Sequence, residues 1–280
     1  MSISFRIILK LSLCVFLLMN FISCEDLTVT ATIYADNIFE FYVDGVLTKK
    51  DPLDFTPHNA VKFDFKVTKG ASRTYAIKAS DYATTSGYEY INTSAPQLGD
   101  GALRVYMSDG TVSNANWKCF TTSFGPTDAS NTAGCSATNL SACQIQLTAE
   151  PTNWTSKTFD DSAWSKATLF TEAEAGWGMT PTYSNGMCGK MTDPLTRNDK
   201  SPNSIATLAD ECIDPKVQSW GTSQFIWQSD LKRDNTILCR LTVTGANDSS
   251  STGTGSTSGA QNLQMGLIKT FLIFLMFLMI

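Results

Sequence analysis

The chain of 280 residues has a single histidine, His58, which Pro57 and Asn59 place in a loop. A Ser-His or Cys-His dyad would hang on that one side chain, and a His-Glu-x-x-His zinc site cannot be assembled from it. No Cys-x-x-Cys spacing occurs, so zinc-ribbon and zinc-finger frameworks are excluded. Gly-x-Ser-x-Gly and phosphate-cradling glycine loops are absent as well. No apolar run reaches the ~20 residues that cross a bilayer as a helix. Positive charge is in short supply, with 21 Lys and Arg against 26 Asp and Glu. That balance argues against nucleic acid or anionic lipid as the partner. Apart from a possible helical turn at Ser162 to Leu169, no stretch has the 3.6-residue apolar period of a surface helix.

The two termini carry addresses. Arg6 and Lys10 are the only charges before Glu25, and they bracket or precede the apolar run from Leu11 to Leu18. Small residues follow at Ser23 and Cys24, which makes 1–24 an expected signal peptide. Phe21-Ile22-Ser23-Cys24 loosely matches a bacterial lipoprotein box, a minor alternative. At the other end, 246–260 is a Ser/Thr/Gly-rich stalk, and 261–280 ends in the apolar stretch Leu267 to Ile280 interrupted by Lys269 and Thr270. Small residues, a polar spacer and a terminal apolar tail are the order read as a GPI-attachment signal, with Ser258 as the expected site and Ser256 next. A hydrophobic membrane tail is the competing reading. Removing both signals would take away Arg6, Lys10 and Lys269, leaving 18 basic residues against 26 acidic ones.

Other features fit an exported protein. Outside the expected signal peptide stand six cysteines, Cys119, Cys135, Cys143, Cys188, Cys212 and Cys239, an even number expected to oxidise outside the cell. The pairs expected are Cys135 with Cys143, Cys188 with Cys212, and Cys119 with Cys239 joining two strands, one choice among 15. Asn-x-Ser/Thr triplets begin at Asn92, Asn139, Asn153 and Asn247 and are candidate N-glycosylation sites.

Between the signals, residues 25–245 alternate apolar and polar positions. Val61, Phe63, Phe65 and Val67 interleave with Lys62, Asp64 and Lys66; Phe39, Phe41 and Val43 do the same and run into a hairpin turn at Asp44-Gly45. Further strands are expected at Leu27–Tyr34, Thr74–Ala79, Ala102–Met107, Gln144–Leu147, Gln224–Trp227 and Ile237–Val243. Thr121–Ala142 and Glu172–Gly221 are polar and hold cysteines, which reads as long loops stapled by disulfides. The pattern predicts an all-β antiparallel sandwich.

Four stretches together resemble the galactose-binding-like jelly roll of discoidin modules and glycoside-hydrolase sugar-binding domains. They are Ala35-Asp36-Asn37-Ile38-Phe39-Glu40-Phe41-Tyr42-Val43-Asp44-Gly45; Gly101 to Tyr106 with Asp109-Gly110-Thr111 and Trp117-Lys118; Trp154 to Trp164, which contains Phe159-Asp160-Asp161-Ser162; and Phe225-Ile226-Trp227 with Asn235 to Arg240. The resemblance implies a jelly roll that binds carbohydrate in loops at one end through an aromatic platform. Trp177, Tyr183 and Trp220 are the candidate platform, because Trp117, Trp154, Trp164 and Trp227 fall in core positions. It also implies a possible structural calcium, with Asp36 and Asp44 as candidate ligands; no other cofactor is expected.

Three functions are expected in order. The first is a non-catalytic surface module, lipid-anchored at the extracellular face of the plasma membrane, that recognises a glycan or mediates adhesion. The second is a coat or structural glycoprotein whose partner is another surface protein. The last is a glycan-acting hydrolase using Asp160-Asp161 or Glu172 with Glu174, but adjacent carboxylates on a turn or strand point apart.

Overall fold

The computed structural model describes residues 25–51, 60–83, 86–91, 93, 96–128, 134–175, 212–213 and 218–245. Two antiparallel sheets face each other. The first contains β1 (Asp26–Asp36), β4 (Ala60–Thr68), β6 (Ala102–Met107), β10 (Thr168–Phe170), β11 (Cys212–Ile213) and β12 (Phe225–Trp227), in the order β10-β12-β6-β1-β4-β11. The second contains β2 (Ile38–Val43), β3 (Val46–Lys50), β5 (Arg73–Ser80), β7 (Lys118–Phe124), β8 (Gln146–Leu147) and β13 (Asp234–Val243). Its order is β3-β2-β5-β13-β7-β8, with β9 (Ser165–Lys166) also pairing β7. The helical content described is a 3-10 turn at Leu140–Ala142 and the four-residue α1 (Glu172–Ala175). No helix among the described residues is long and apolar enough to cross a membrane.

Alternation explains the register. On β1 and β4, Leu27 lies opposite Val67, Val29 opposite Phe65, Ala31 opposite Phe63 and Ile33 opposite Val61. A slip of one residue would turn all eight away from the core, so burial of this face locks the pairing. On the facing sheet, Phe41 lies opposite Ile77 and Ile77 opposite Cys239. Phe41 is fully buried, with Phe63, Phe65 and Tyr75 rings 5.3–5.7 Å from its own. Such ring clusters add to the area they remove from water. Asp44 and Gly45 both have positive φ, 49° and 91°, the conformation a tight hairpin requires and the one Asp-Gly adopts cheaply.

Cys119 and Cys239 are directly opposite on β7 and β13 and are disulfide-bonded; Cys135 and Cys143 form a second, local bridge. Trp117 and Trp227 are fully buried, and Trp154 and Trp164 nearly so.

The structure corrects several expectations. Ser162 to Leu169 is not a helical turn: after a tight turn, Ser165–Lys166 pair with β7 and Thr168–Phe170 with β12. Ladder hydrogen bonds with neighbouring strands outweigh the local preference there. The loop expected from Thr121 begins later, because Thr121–Phe124 complete β7. β3 was not expected; Val46 and Leu47 on it are 67 % and 51 % exposed, so it lacks the burial that makes a strand legible. The strand expected over Gln144–Leu147 shortens to its last two residues.

Candidate metal centre

Four carboxyl groups converge at one end of the sandwich. Asp36 is the last residue of β1 and pairs in register with Ala102 at the start of β6. Asp81 directly follows β5, where its own N–H donates to the Asn235 carbonyl at 2.9 Å. Asp100 precedes β6 between Gly99 and Gly101. Glu89 comes from the intervening loop, which is closed by reciprocal backbone bonds with Gln97 at 2.8 and 3.2 Å. Strands β1, β5 and β6 thus deliver three acids to one place, and the loop adds the fourth.

Carboxylate oxygens of Asp81, Glu89 and Asp100 all lie within 4.8 Å of one another. Asp36, Asp81 and Glu89 are 1–3 % exposed. Asp81 Oδ1 accepts the Ala83 N–H at 2.9 Å, and Glu89 Oε2 accepts the Gln97 side-chain amide at 3.0 Å. Asp81 Oδ2 and both Asp36 oxygens receive no hydrogen bond of ordinary geometry among the described residues; their close company is Asp100 and the other carboxyl groups. Gly99 is required by close approach: a Cβ there would sit 1.8 Å from Asp81 Oδ2.

These positions are costly for negative charge. Burial pushes the Asp81 carboxyl up to about 8, with the Glu89 carboxylate adding to the rise. Burial, followed by Asp100 and Asp81, raises Asp36 well above its ordinary range. Burial likewise raises Glu89, and Asp100 adds to it. Buried carboxylates without a countercharge are among the least favourable groups a protein can carry. Hard oxygen donors, several to a site, are what calcium and magnesium take, and orphaned oxygens aimed into the cluster fit that need. A dication offsets two of the four charges, and a carboxyl that keeps its proton lowers the remainder.

Of the two residues offered as calcium ligands, Asp36 belongs to this cluster and Asp44 does not. Asp44 Oδ1 accepts the Thr74 N–H at 2.7 Å and Oδ2 pairs with Lys157 at 3.3 Å, so the side chain is committed to the β2–β3 turn. The other three acids were missed in the sequence. The available signal was an acid at or beside one end of each of three strands, with Asp100 in a Gly-Asp-Gly run that lets backbone and carboxylates crowd together.

Trp220, one of the residues expected in an aromatic platform, is buried. Its ring stacks 6.3 Å from Tyr34 and takes the Arg104 guanidinium on its face at 5.0 Å. Tyr34 and Arg104 are opposite one another on the outer face of the β1–β6 ladder, so Trp220 covers that face instead of presenting a flat surface to solvent. Trp177, Tyr183, Cys188, His58, Asn92, Asn247, Ser256 and Ser258 lie outside the described residues, as does the side chain of Cys212. Asn139 and Asn153 are both exposed.

Three of the carboxylates offered for hydrolysis, Asp160, Asp161 and Glu174, have structural partners. Asp160 Oδ1 accepts the Ser162 N–H at 2.9 Å, and Asp161 pairs with Lys118 at 2.9 Å. Glu174 Oε2 accepts from the Thr171 N–H and hydroxyl at 2.7 and 2.8 Å, capping α1.

The fold and this cluster define the chain as an all-β protein of two facing antiparallel sheets with a cluster of three buried carboxyl groups and one half-buried one at one end. No family model, no curated protein and no solved structure matches it.

Proposed function

We propose that this chain is a calcium-dependent binding module of the galactose-binding-like jelly-roll type. It is displayed on a stalk at the outer face of the plasma membrane by a lipid anchor, and it recognises glycan. The observation that carries the reading is the carboxyl cluster of buried Asp36, Asp81 and Glu89 with half-buried Asp100, in which three oxygens receive no hydrogen bond of ordinary geometry. Extracellular calcium modules bind with dissociation constants of roughly 10⁻⁴–10⁻³ M, and only outside the cell is that concentration standing. A module so built is folded rigidly where it works. Calcium here holds the ends of β1, β5 and β6 together; the ligand is bound by other residues.

The oxidised cysteines support an extracellular site of action, since such bridges persist in oxidising compartments. Calorimetric titration of the chelator-treated full chain with calcium is the direct test of the metal. Saturable binding with a rise in melting temperature is expected, and no heat at millimolar calcium would overturn it. Calcium-dependent retention on a glycan array tests the ligand class; an array empty in both calcium and chelator would sink the glycan reading.

A further inference from the structure

A second site lies at the end of the sandwich away from the carboxyl cluster: β5 runs from Arg73 in this cleft to Ser80, next to Asp81. The cleft encloses about 380 Å³ between the β2–β3 turn, the β4–β5 turn and the segment carrying Lys157. That volume is within the ~300–1,000 Å³ of small-ligand sites. Resting on the glycan reading above, we propose that this cleft binds an acidic saccharide, one bearing uronate or sulfate groups.

Charge carries the argument. Lys66 and Lys157 line the cleft against one acid, Asp44, while the Arg73 charge is matched by Asp109, so the cleft keeps a positive excess on a chain of net charge −5. Arg73 is a built element of the floor, 2 % exposed. Its Nη2 meets Asp109 at 2.7 Å, its Nε donates to the Tyr75 hydroxyl at 2.6 Å, and that hydroxyl donates to the same Asp109 oxygen at 2.7 Å. Burial and then the Asp109 carboxylate hold the Tyr75 phenol in its neutral form, so this triad stays a fixed support. Among the described residues the two lysines meet their acids in solvent-exposed pairs, Lys157 with Asp44 at 3.3 Å and Lys66 with Asp26 at 3.6 Å. Exposed pairs of this kind contribute little and yield readily to a better anion.

The rest of the lining selects among anions. Val46 gives an apolar wall for the C–H face of a sugar ring, and Thr48 brings a hydroxyl beside it. Among the described residues no aromatic side chain lines the cleft. A neutral sugar would therefore lack the stacking surface that normally holds it, whereas an acidic one meets two ammonium groups.

The test uses the full chain in calcium with three probes: a sulfated uronate oligosaccharide, its desulfated and carboxyl-reduced counterpart, and vesicles of anionic phospholipid. The acidic sugar should bind with an affinity that falls with salt, and Lys66→Ala and Lys157→Ala should each weaken it about tenfold. Lys62→Ala, on β4 outside the cleft, should leave it unchanged. Equal binding of the neutral sugar, binding of vesicles alone, or acidic-sugar binding indifferent to both cleft variants would overturn the proposal. In the first and last of these cases glycan recognition itself survives; silence of both sugars overturns the acidic-saccharide proposal, and only an empty glycan array would remove the glycan reading with it.

Discussion

Arg240 and Asp161 meet at 3.1 Å across 79 residues of sequence, joining the middle of β13 to the segment that covers the outer face of the second sheet. Arg240 is 1 % exposed, yet its guanidinium also donates to the carbonyl oxygens of Trp154, Ser156 and Phe159 and lies over the Phe159 ring at 5.0 Å. Around it, Trp164 stacks on Phe120 at 5.4 Å and Trp154 meets Tyr42 edge-on at 5.6 Å. The Trp154–Trp164 stretch is thus a lid of turns, satisfied internally by one cation.

Removing that cation should strip several buried acceptors at once. Arg240→Ala is expected to cost ~3–5 kcal/mol, the range for deleting one partner of a buried charged network, read as the shift in a urea unfolding midpoint at constant m. A loss below ~1 kcal/mol would mean that the lid is not anchored through Arg240.

Asp161 gives the same contact a pH dependence. Burial raises its carboxyl, but hydrogen bonds from Lys118 and then Arg240 outweigh burial and hold it below its ordinary range. The folded value lies under the unfolded one, so its stabilisation is complete above the ordinary 3.8 and disappears as pH falls through the depressed folded value. Asp161→Asn should flatten that acid limb of the stability profile while leaving the neutral region less stable than wild type.

Asp81 has the opposite sign. Its folded carboxyl stands at about 8 against an ordinary 3.8, so between these values the calcium-free folded chain holds a proton that the unfolded chain has released. Calcium-free stability should then fall as pH rises through that window. Added calcium, which needs the ionised carboxylate, should raise the melting temperature more at pH 8 than at pH 5. At ~100-fold excess over its dissociation constant it adds ~2.7 kcal/mol. Asp81→Asn should abolish most of the calcium effect without lowering the calcium-free melting temperature at pH 8; a variant that still responds fully would place the metal elsewhere.

Gly99 tests the geometry independently of charge. A methyl group at 1.8 Å from Asp81 Oδ2 must displace that carboxylate, so Gly99→Ala is expected to weaken calcium binding by at least tenfold and to cost ~1–3 kcal/mol of stability. Calorimetry and thermal unfolding measured together check both effects.

Treatment of intact cells with phosphatidylinositol-specific phospholipase C should release the chain into the medium if Ser258 or its neighbour carries the expected anchor. Retention after digestion, with a control anchored protein released, would favour the hydrophobic tail.

The strands that were legible in the sequence are those buried on one side. Val61, Phe63, Phe65 and Val67 alternate because each second side chain must leave water, and Asp44-Gly45 announces its turn because few dipeptides tolerate positive φ at both positions. Among the strands that were not legible, β3 and β9 leave most of their side chains exposed, and backbone pairing leaves no mark on side-chain order. Trp220 was misplaced for a related reason: an indole in a polar stretch carries no record of the Tyr34 and Arg104 side chains that bury it.

By itself, the order of residues determined an all-β chain, its strand-facing core, and the cysteines that pair as Cys119–Cys239 and Cys135–Cys143. The first two of these are local: they depend on alternation and on short spacings. The tertiary structure alone decided that Asp36, Asp81, Glu89 and Asp100 share one site while Asp44 does not, and that Arg240 carries the lid. Carboxylates spread over 65 positions become neighbours only when the β1–β6 ladder of one sheet meets the end of β5 in the other. The energetic consequence of that crowding, a site that calls for a cation, exists only once the chain has folded.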